Sequence, residues 1–484
     1  MVSTSLLLAL PVHAGPWLEP GDIWLKSDVQ LLADAGVITS PISSWPLSWG
    51  DIAQDINRAI DDEDLTLAER AALARLRQRA DIELRVDEPF LDVGIRIAEN
   101  PQDIRGFADV PRGEQEIWAS GEYTGERFAV RLRGSLVNDD PFDDREARAD
   151  GSYAAVAIGN WMVGASLLDR WWGPGWNGSL ILSSSARPIP ALVLERNFST
   201  PFESKWLRWI GPWSTSVIWG QLESDRGVPD TRFFGWRVNF KPLRSLEIGL
   251  LRTAQWCGDG RQCDLDAFAR VLVGDSNLDS DTDVDLANQL AGVDFRWSSR
   301  IGPIPFAAFG QFIGEDEAGG FPSRFLGQVG VETWGSFDNG ATQWRAFGEF
   351  ADTTCQFNEE SRIFNCAYEN EFYPTGYRFR GRSIGYATDA DSRSVTLGLV
   401  ATRLGKGDWS MTVRRLEVNR AGNPQPTHTI APTPVDITDV DVQYRRRLEF
   451  VDLIIGAGAE RREDAEIAAD DDTLRVFVGV EFRL

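Results

Sequence analysis

Apolar and polar residues alternate to the end of this chain. Leu474, Val476, Val478, Val480, Phe482 and Leu484 share one face over eleven residues, while Arg475, Glu481 and Arg483 occupy the other. That length and dyad period fit a tilted membrane-spanning β-strand, apolar toward lipid and polar toward a lumen. The alternation recurs from Pro89 onward: Phe128, Val130 and Leu132 lie against Arg131 and Arg133. Residues 154–158 and 161–167 flank Gly159-Asn160, a two-residue hairpin signal, and Asp338-Asn-Gly340 and Gly405-Lys-Gly-Asp408 separate two further pairs. About 395 residues follow Pro89, room for roughly 16–20 strands, and an even number near eighteen closes a barrel without a free edge. No window approaches twenty consecutive apolar residues, which excludes a membrane-spanning helix.

Before Pro89 the period is helical. Asp22 is placed to cap a segment with Leu25, Val29 and Leu32 on one face and Gly36 at its end. Ser48-Trp-Gly-Asp51 has capping-box spacing ahead of Ile52, Ile56, Ala59 and Ile60, and Thr66-Leu-Ala-Glu69 repeats it ahead of Leu73, Leu76 and Ala80. Three short amphipathic helices with so few apolar residues are expected to lean on the rest of the chain. The chain therefore divides into 1–14, an apolar segment ending in Ala14 that reads as a residual signal peptide without a basic start, 15–87, a helical bundle, and 88–484, the barrel. A barrel ending on Leu484, with Phe482 two places earlier, is expected still to insert, because its apolar face is intact.

One stretch breaks both periods. Asp169-Arg-Trp-Trp-Gly-Pro-Gly-Trp-Asn-Gly178 packs three Trp and three Gly into ten residues and runs on to Arg187-Pro-Ile-Pro190. It must be a compact loop. Its indoles offer apolar faces that suit a sugar ring, with Trp171, Trp172 and Trp176 as stacking surfaces and Asp169, Arg170, Asn177 and Arg187 as polar partners. The competing reading is that the indoles wedge the loop inside a larger structure. Polar or Pro-rich stretches at 146–151, 258–266, 274–288, 359–375 and 419–438 read as long outer loops. Asp279-Ser-Asp-Thr-Asp-Val-Asp285 lacks the glycine and closing Glu of an EF-hand, so a solvated acidic loop is expected there and no metal.

Composition narrows the function. A net charge of −24 repels phosphate and argues against nucleic acid. Four cysteines fall in local pairs, Cys257 with Cys263 and Cys355 with Cys366; of three possible connectivities the local one is simplest, and it points to an oxidising compartment. The two histidines, His13 and His428, sit in the leader and in a Pro/Thr-rich loop, so no histidine triad, zinc site or proton shuttle assembles. Asp169 and Glu195 are the only carboxylates near the Trp-rich loop, and pairing with Arg170, Arg187 or Arg196 accounts for them better than glycoside hydrolysis does. No phosphate loop or nucleotide fingerprint is present. No cofactor and no enzymatic activity are expected.

Pro16-Trp-Leu-Glu-Pro-Gly-Asp22, Asp28-Val-Gln-Leu-Leu-Ala-Asp-Ala-Gly-Val-Ile38, Trp45-Pro-Leu-Ser-Trp-Gly-Asp51, the Trp-rich loop with Arg187-Pro-Ile-Pro190, and Asn288-Gln-Leu-Ala-Gly-Val-Asp294 together resemble the Wzi family of capsule assembly proteins. The resemblance spans nearly the whole chain. It implies an all-β, antiparallel outer-membrane barrel of about eighteen strands with a small periplasmic helical bundle at its N-terminus. It implies a surface lectin that helps hold capsular polysaccharide or exopolysaccharide to the cell, without catalysis or polymer export. Expected partners are capsular polysaccharide, outer-membrane lipid and other capsule export components, with the barrel a monomer. A porin passing saccharides is the alternative, which three bulky indoles midway along the chain weigh against.

Overall fold

The alternation from Pro89 onward resolves into a closed wall. The computed structural model describes residues 17–59, 64–273, 287–318, 321–403, 405–422, 425–448, 450–464 and 470–483. Among these, nineteen hydrogen-bonded segments form one ring, every pairing antiparallel, and Asp470–Arg483 closes it against Pro89–Glu99. One segment is the two-residue Ala147–Arg148, which shares the edge of Phe128–Asn138 with Tyr153–Ile158. The wall thus has eighteen staves, an even number that leaves no edge unpaired. The turns expected at Gly159-Asn160, Asp338-Asn-Gly340 and Gly405-Lys-Gly-Asp408 all join neighbouring staves and lie on one rim.

Side chains sort by face as a lipid-embedded barrel requires. Leu132 and Leu474 are 72% and 75% exposed on the outside, while Arg133 and Arg475 point inward. An apolar band of this size around the whole wall suits hydrocarbon rather than water. Tyr123, Phe128, Trp161, Trp297, Phe337 and Trp409 ring the short-turn rim on its outside. No described helix is long and apolar enough to cross a membrane.

Inside the ring lies a second body of chain. Helix α1 (Ile23–Asp34) is buried along almost its full length, including Lys26, Ser27, Asp28 and Gln30. Asp22 caps it through Leu25 N–H at 2.9 Å, and Gly36 ends it at φ +81°. Helices α2 (Trp49–Arg58) and α3 (Leu67–Glu83) come next, and α3 reaches the Asp338–Gly340 turn, which sets the helices at the short-turn rim. Thr66 and Glu69 form the expected capping box. Ser48 does not: its hydroxyl donates to Asn197, at 2.6 Å to the backbone oxygen, and leaves the start of α2 uncapped by a side chain. Ile60 and the segment 1–14 lie outside the described residues.

The disulfides pair locally, Cys257 with Cys263 and Cys355 with Cys366. After the first, helix α4 (Leu265–Val273) lies against the outer wall at the long-loop rim. Its Phe268 ring meets Trp219 at 4.5 Å and Phe234 at 5.4 Å, and these face away from the lumen because Ile218 and Phe233 belong to the interior core. The acidic run Asp279–Asp285 falls outside the described residues.

Candidate functional site

The Trp-rich loop joins Trp161–Ser166 to Ala191–Arg196 at the long-loop rim and descends into the lumen. Two residues of it make a bridge to the N-terminal body, Trp171 opposite Trp45 and Trp172 opposite Ser44. The wall supplies its remaining partners. Trp176 and Asn177 donate their backbone N–H groups to the Glu349 carboxylate, Gln311 takes Leu180 N–H at 2.6 Å and donates to Trp172 oxygen at 2.7 Å, and Gln328 donates to Gly178 oxygen at 3.0 Å. An irregular loop buried in this way must satisfy each backbone group individually, and the inward Gln and Glu side chains do so. The glycines permit close approach: a Cβ on Gly178 would lie 2.0 Å from the Tyr386 ring.

Most of the residues expected to meet sugar are thereby enclosed. Trp171, Trp172 and Trp176 are 0%, 1% and 1% exposed. Trp171 packs edge-on to Phe107 at 5.2 Å and donates its indole N–H to Gly175, and Trp176 stacks on Phe347 at 5.3 Å with its N–H on Glu332. Trp172 is built into the interior core with Ile218 and Phe233. Their stacking faces are covered by protein, so the wedge reading describes them, for burying three indoles is what holds the loop down. Arg170 donates from its two terminal nitrogens to Leu168 oxygen and Ser166, and Asn177 is held between Arg414 at 2.6 Å and Tyr386. Arg187 forks onto Asp150 at 2.8 and 2.9 Å and also donates to Asp143.

Asp169 is different. Its side chain is 36% exposed, its Oδ1 has no hydrogen-bond partner among the described residues, and Arg112 stands 3.7 Å away. Burial within the barrel raises its carboxyl to about 6, with Arg112 opposing. It opens on a cavity of about 310 Å³ between the start of α1 and the inner face of the first and last staves. Arg112 and Asp150 line the same cavity, so Arg187 adjoins it through Asp150. On the cavity wall, Trp118 donates to Asp92 at 2.6 Å and lies between the guanidinium groups of Arg96 and Arg133, each 5.0 Å from its ring. Trp17 meets Tyr153 edge-on at 5.4 Å and donates to Glu195, which also accepts from Ser216 at 2.8 Å. Glu195 and Asp169 both act on Arg170 through their charge, as expected, but their direct contacts are others: an indole and a hydroxyl for one, Arg112 for the other. A cavity lined by so many charged donors and acceptors suits a hydroxyl-rich ligand.

Sequence reasoning did not anticipate what plugs the lumen beside the Trp-rich loop. Phe107 from the first long loop inserts between Trp45 and Trp171. Tyr368 and Tyr377 donate to the backbone oxygens of Leu180 and Ile181 at 2.6 and 2.8 Å, so the stretch 359–375 is not wholly an outer loop but turns inward after residue 366. Its recurring Tyr and Gly, Tyr373-Pro-Thr-Gly-Tyr377 and Gly385-Tyr386, were the available signal. His428 is likewise buried, its ring nitrogens engaged by Ala390 oxygen and Ala431 N–H. Lys26 stands where α1 meets the first long loop and the Trp-rich loop, its ammonium 4.0 Å over Phe107 and 4.8 Å over Trp176 and donating to Gly175 oxygen; burial pulls it down to about 7. No metal-ligating cluster exists among the described residues.

Residues 106–473 match the family model of the capsule assembly protein Wzi. The chain is 31% identical over 348 residues, 71% of its own length and 67% of the relative's, to a 55.8 kDa Klebsiella pneumoniae protein of the cps region that is itself uncharacterised. Its fold superposes with a TM-score of 0.83 and 27% identity, over 96% of this chain and 99% of the other, on Escherichia coli Wzi, an outer-membrane protein of group 1 capsule assembly reported as a carbohydrate-binding β-barrel. A match over three quarters of the sequence, joined to the same barrel, places this chain in the Wzi family of capsule assembly proteins.

Proposed function

We propose that this protein sits in the outer membrane with its helices on the periplasmic side and acts as a non-catalytic surface lectin that holds capsular polysaccharide to the cell. One observation carries the reading: a barrel like that of a carbohydrate-binding relative over nearly its full length has its lumen filled by α1 and the Trp-rich loop. A filled lumen disfavours the porin alternative, since a saccharide would have to displace a core of buried Trp and Tyr. It leaves binding as the use for the polar cavity, and Asp169 is the group we assign to a sugar hydroxyl there.

Deleting the gene and measuring polysaccharide separately on cells and in the medium tests the role. Polymer kept in total but shifted to the medium is expected; polymer retained inside the cell would assign the protein to export instead. For the site, Asp169→Asn in the purified barrel is expected to weaken polymer binding roughly 5–10-fold, the equivalent of about one hydrogen bond. Unchanged affinity would move the sugar contact to the outer loops.

A further inference from the structure

One connection at the short-turn rim differs from the rest. Residues 197–212 join Ala191–Arg196 to Trp213–Gln221, whereas the other connections on that rim take two to four residues. Its first residues hold α2, with Asn197 accepting from Ser48 and Ser199 donating to Asp51, and from Phe202 on the segment folds onto the outer wall. Phe202 stacks on Trp213 at 4.8 Å and Trp209 meets Phe240 edge-on at 6.4 Å. Trp213 and Phe240 are cross-strand partners on the outward face, because the neighbouring Arg237 and Asn239 reach inward to Ser43. Beyond this foothold Trp206 is 86% and Trp209 61% exposed, with Leu207 beside them. Lys205 and Arg208 are exposed too and make no ion pair among the described residues, so that with Glu203 the segment carries a net positive charge in a chain of net charge −24.

We propose that residues 201–211 form an interfacial foot that seats Trp206 and Trp209 in the phospholipid leaflet on the short-turn side and offers Lys205 and Arg208 to anionic headgroup phosphates. Indoles settle at the boundary between headgroup and hydrocarbon because one end is apolar and the N–H needs a polar partner, and basic side chains extend from there toward phosphate. The foot is continuous with the apolar outer wall through Phe202 and Trp209, which favours lipid as its occupant over a water-borne partner. The inference rests on the membrane-barrel reading, and the test separates the two.

The full-length protein is reconstituted in vesicles of phosphatidylethanolamine and phosphatidylglycerol with an environment-sensitive fluorophore on Trp206→Cys or, as a reference on the wall, on Leu192→Cys, which replaces a side chain 63% exposed to the outside. Both labels are expected to resist aqueous iodide, and position 206 to be quenched best by a spin label near the headgroup. The double reversal Lys205→Glu with Arg208→Glu is expected to weaken headgroup quenching at 206 about twofold, most strongly at low salt. Iodide reaching 206 but not 192 overturns the foot and leaves the barrel in the membrane; iodide reaching both overturns both. Label self-quenching at 206 that fades as lipid is added in excess would assign the face to a second copy of the chain and overturn the proposal.

Discussion

Trp176 and Asp169, seven residues apart, show how one loop divides between packing and chemistry. Trp176 is enclosed by Phe347, Glu332, Lys26 and Arg345, so Trp176→Ala opens a cavity that the close-packed lumen cannot refill. It should cost about 3–5 kcal/mol, read as a lower unfolding temperature in heat-modifiable gel migration. A loss of glycan binding with stability unchanged would return the indole to the sugar site. Asp169 makes the opposite prediction. Its carboxyl is raised from the unfolded value near 3.9 to about 6, so between those pH values the folded chain holds the proton more tightly and stability falls as pH rises. Asp169→Asn should flatten that slope and raise the unfolding temperature more at about pH 8 than at about pH 5. An identical pH profile for variant and parent would show that the carboxyl is not desolvated.

At the scale of elements, α1 is fastened at both ends by ions from the wall. Asp22 receives Arg445 at 2.6 Å and Arg447 at 2.9 Å, and although burial alone would raise its carboxyl, the two guanidinium groups hold it below the usual range. Asp34 binds Arg296 at 2.7 Å and Arg345 at 3.3 Å, and Glu332 bridges the same two arginines. Cutting such a network leaves buried charge uncompensated. Asp34→Ala is therefore expected to loosen the helical body by about 3–5 kcal/mol, seen as new protease cleavage before residue 87 while the wall stays protected. Unaltered cleavage would mean that the apolar contacts of Leu25, Val29 and Leu32 suffice. The helix was legible from its period and its Asp22 cap. The fastening was not, because Asp34 and Arg345 lie more than three hundred residues apart and an acidic residue in a helix looks the same whether it meets water or arginine. Ser48 makes the point at smaller cost, since a capping-box spacing lost its hydroxyl to Asn197, a partner 149 residues further along the chain.

At the scale of the whole molecule, wall and filling form one object: α1, the first long loop and the Trp-rich loop meet at Lys26, the Tyr-containing loop holds the Trp-rich loop at Leu180 and Ile181, and together they close the lumen. Planar-bilayer recordings of the intact protein are expected to show no steady conductance, and removal of residues 171–186 to produce open-channel steps. Steady conductance of the intact protein would mean the filling moves aside and would revive the porin reading. A closed wall of roughly 16–20 staves, three of its short turns, the outward apolar band and the local disulfides followed from the sequence by itself, because each depends on neighbours within a few residues or on the binary choice between lipid and lumen that alternation encodes. Which way the long loops turn was decided only in the tertiary structure. A loop of Trp, Tyr and Gly can bury its rings against a ligand or against its own barrel, and the outcome depended on inward carboxamides and carboxylates such as Gln311, Gln328 and Glu349, spread over the wall at spacings that no local pattern connects to residue 176.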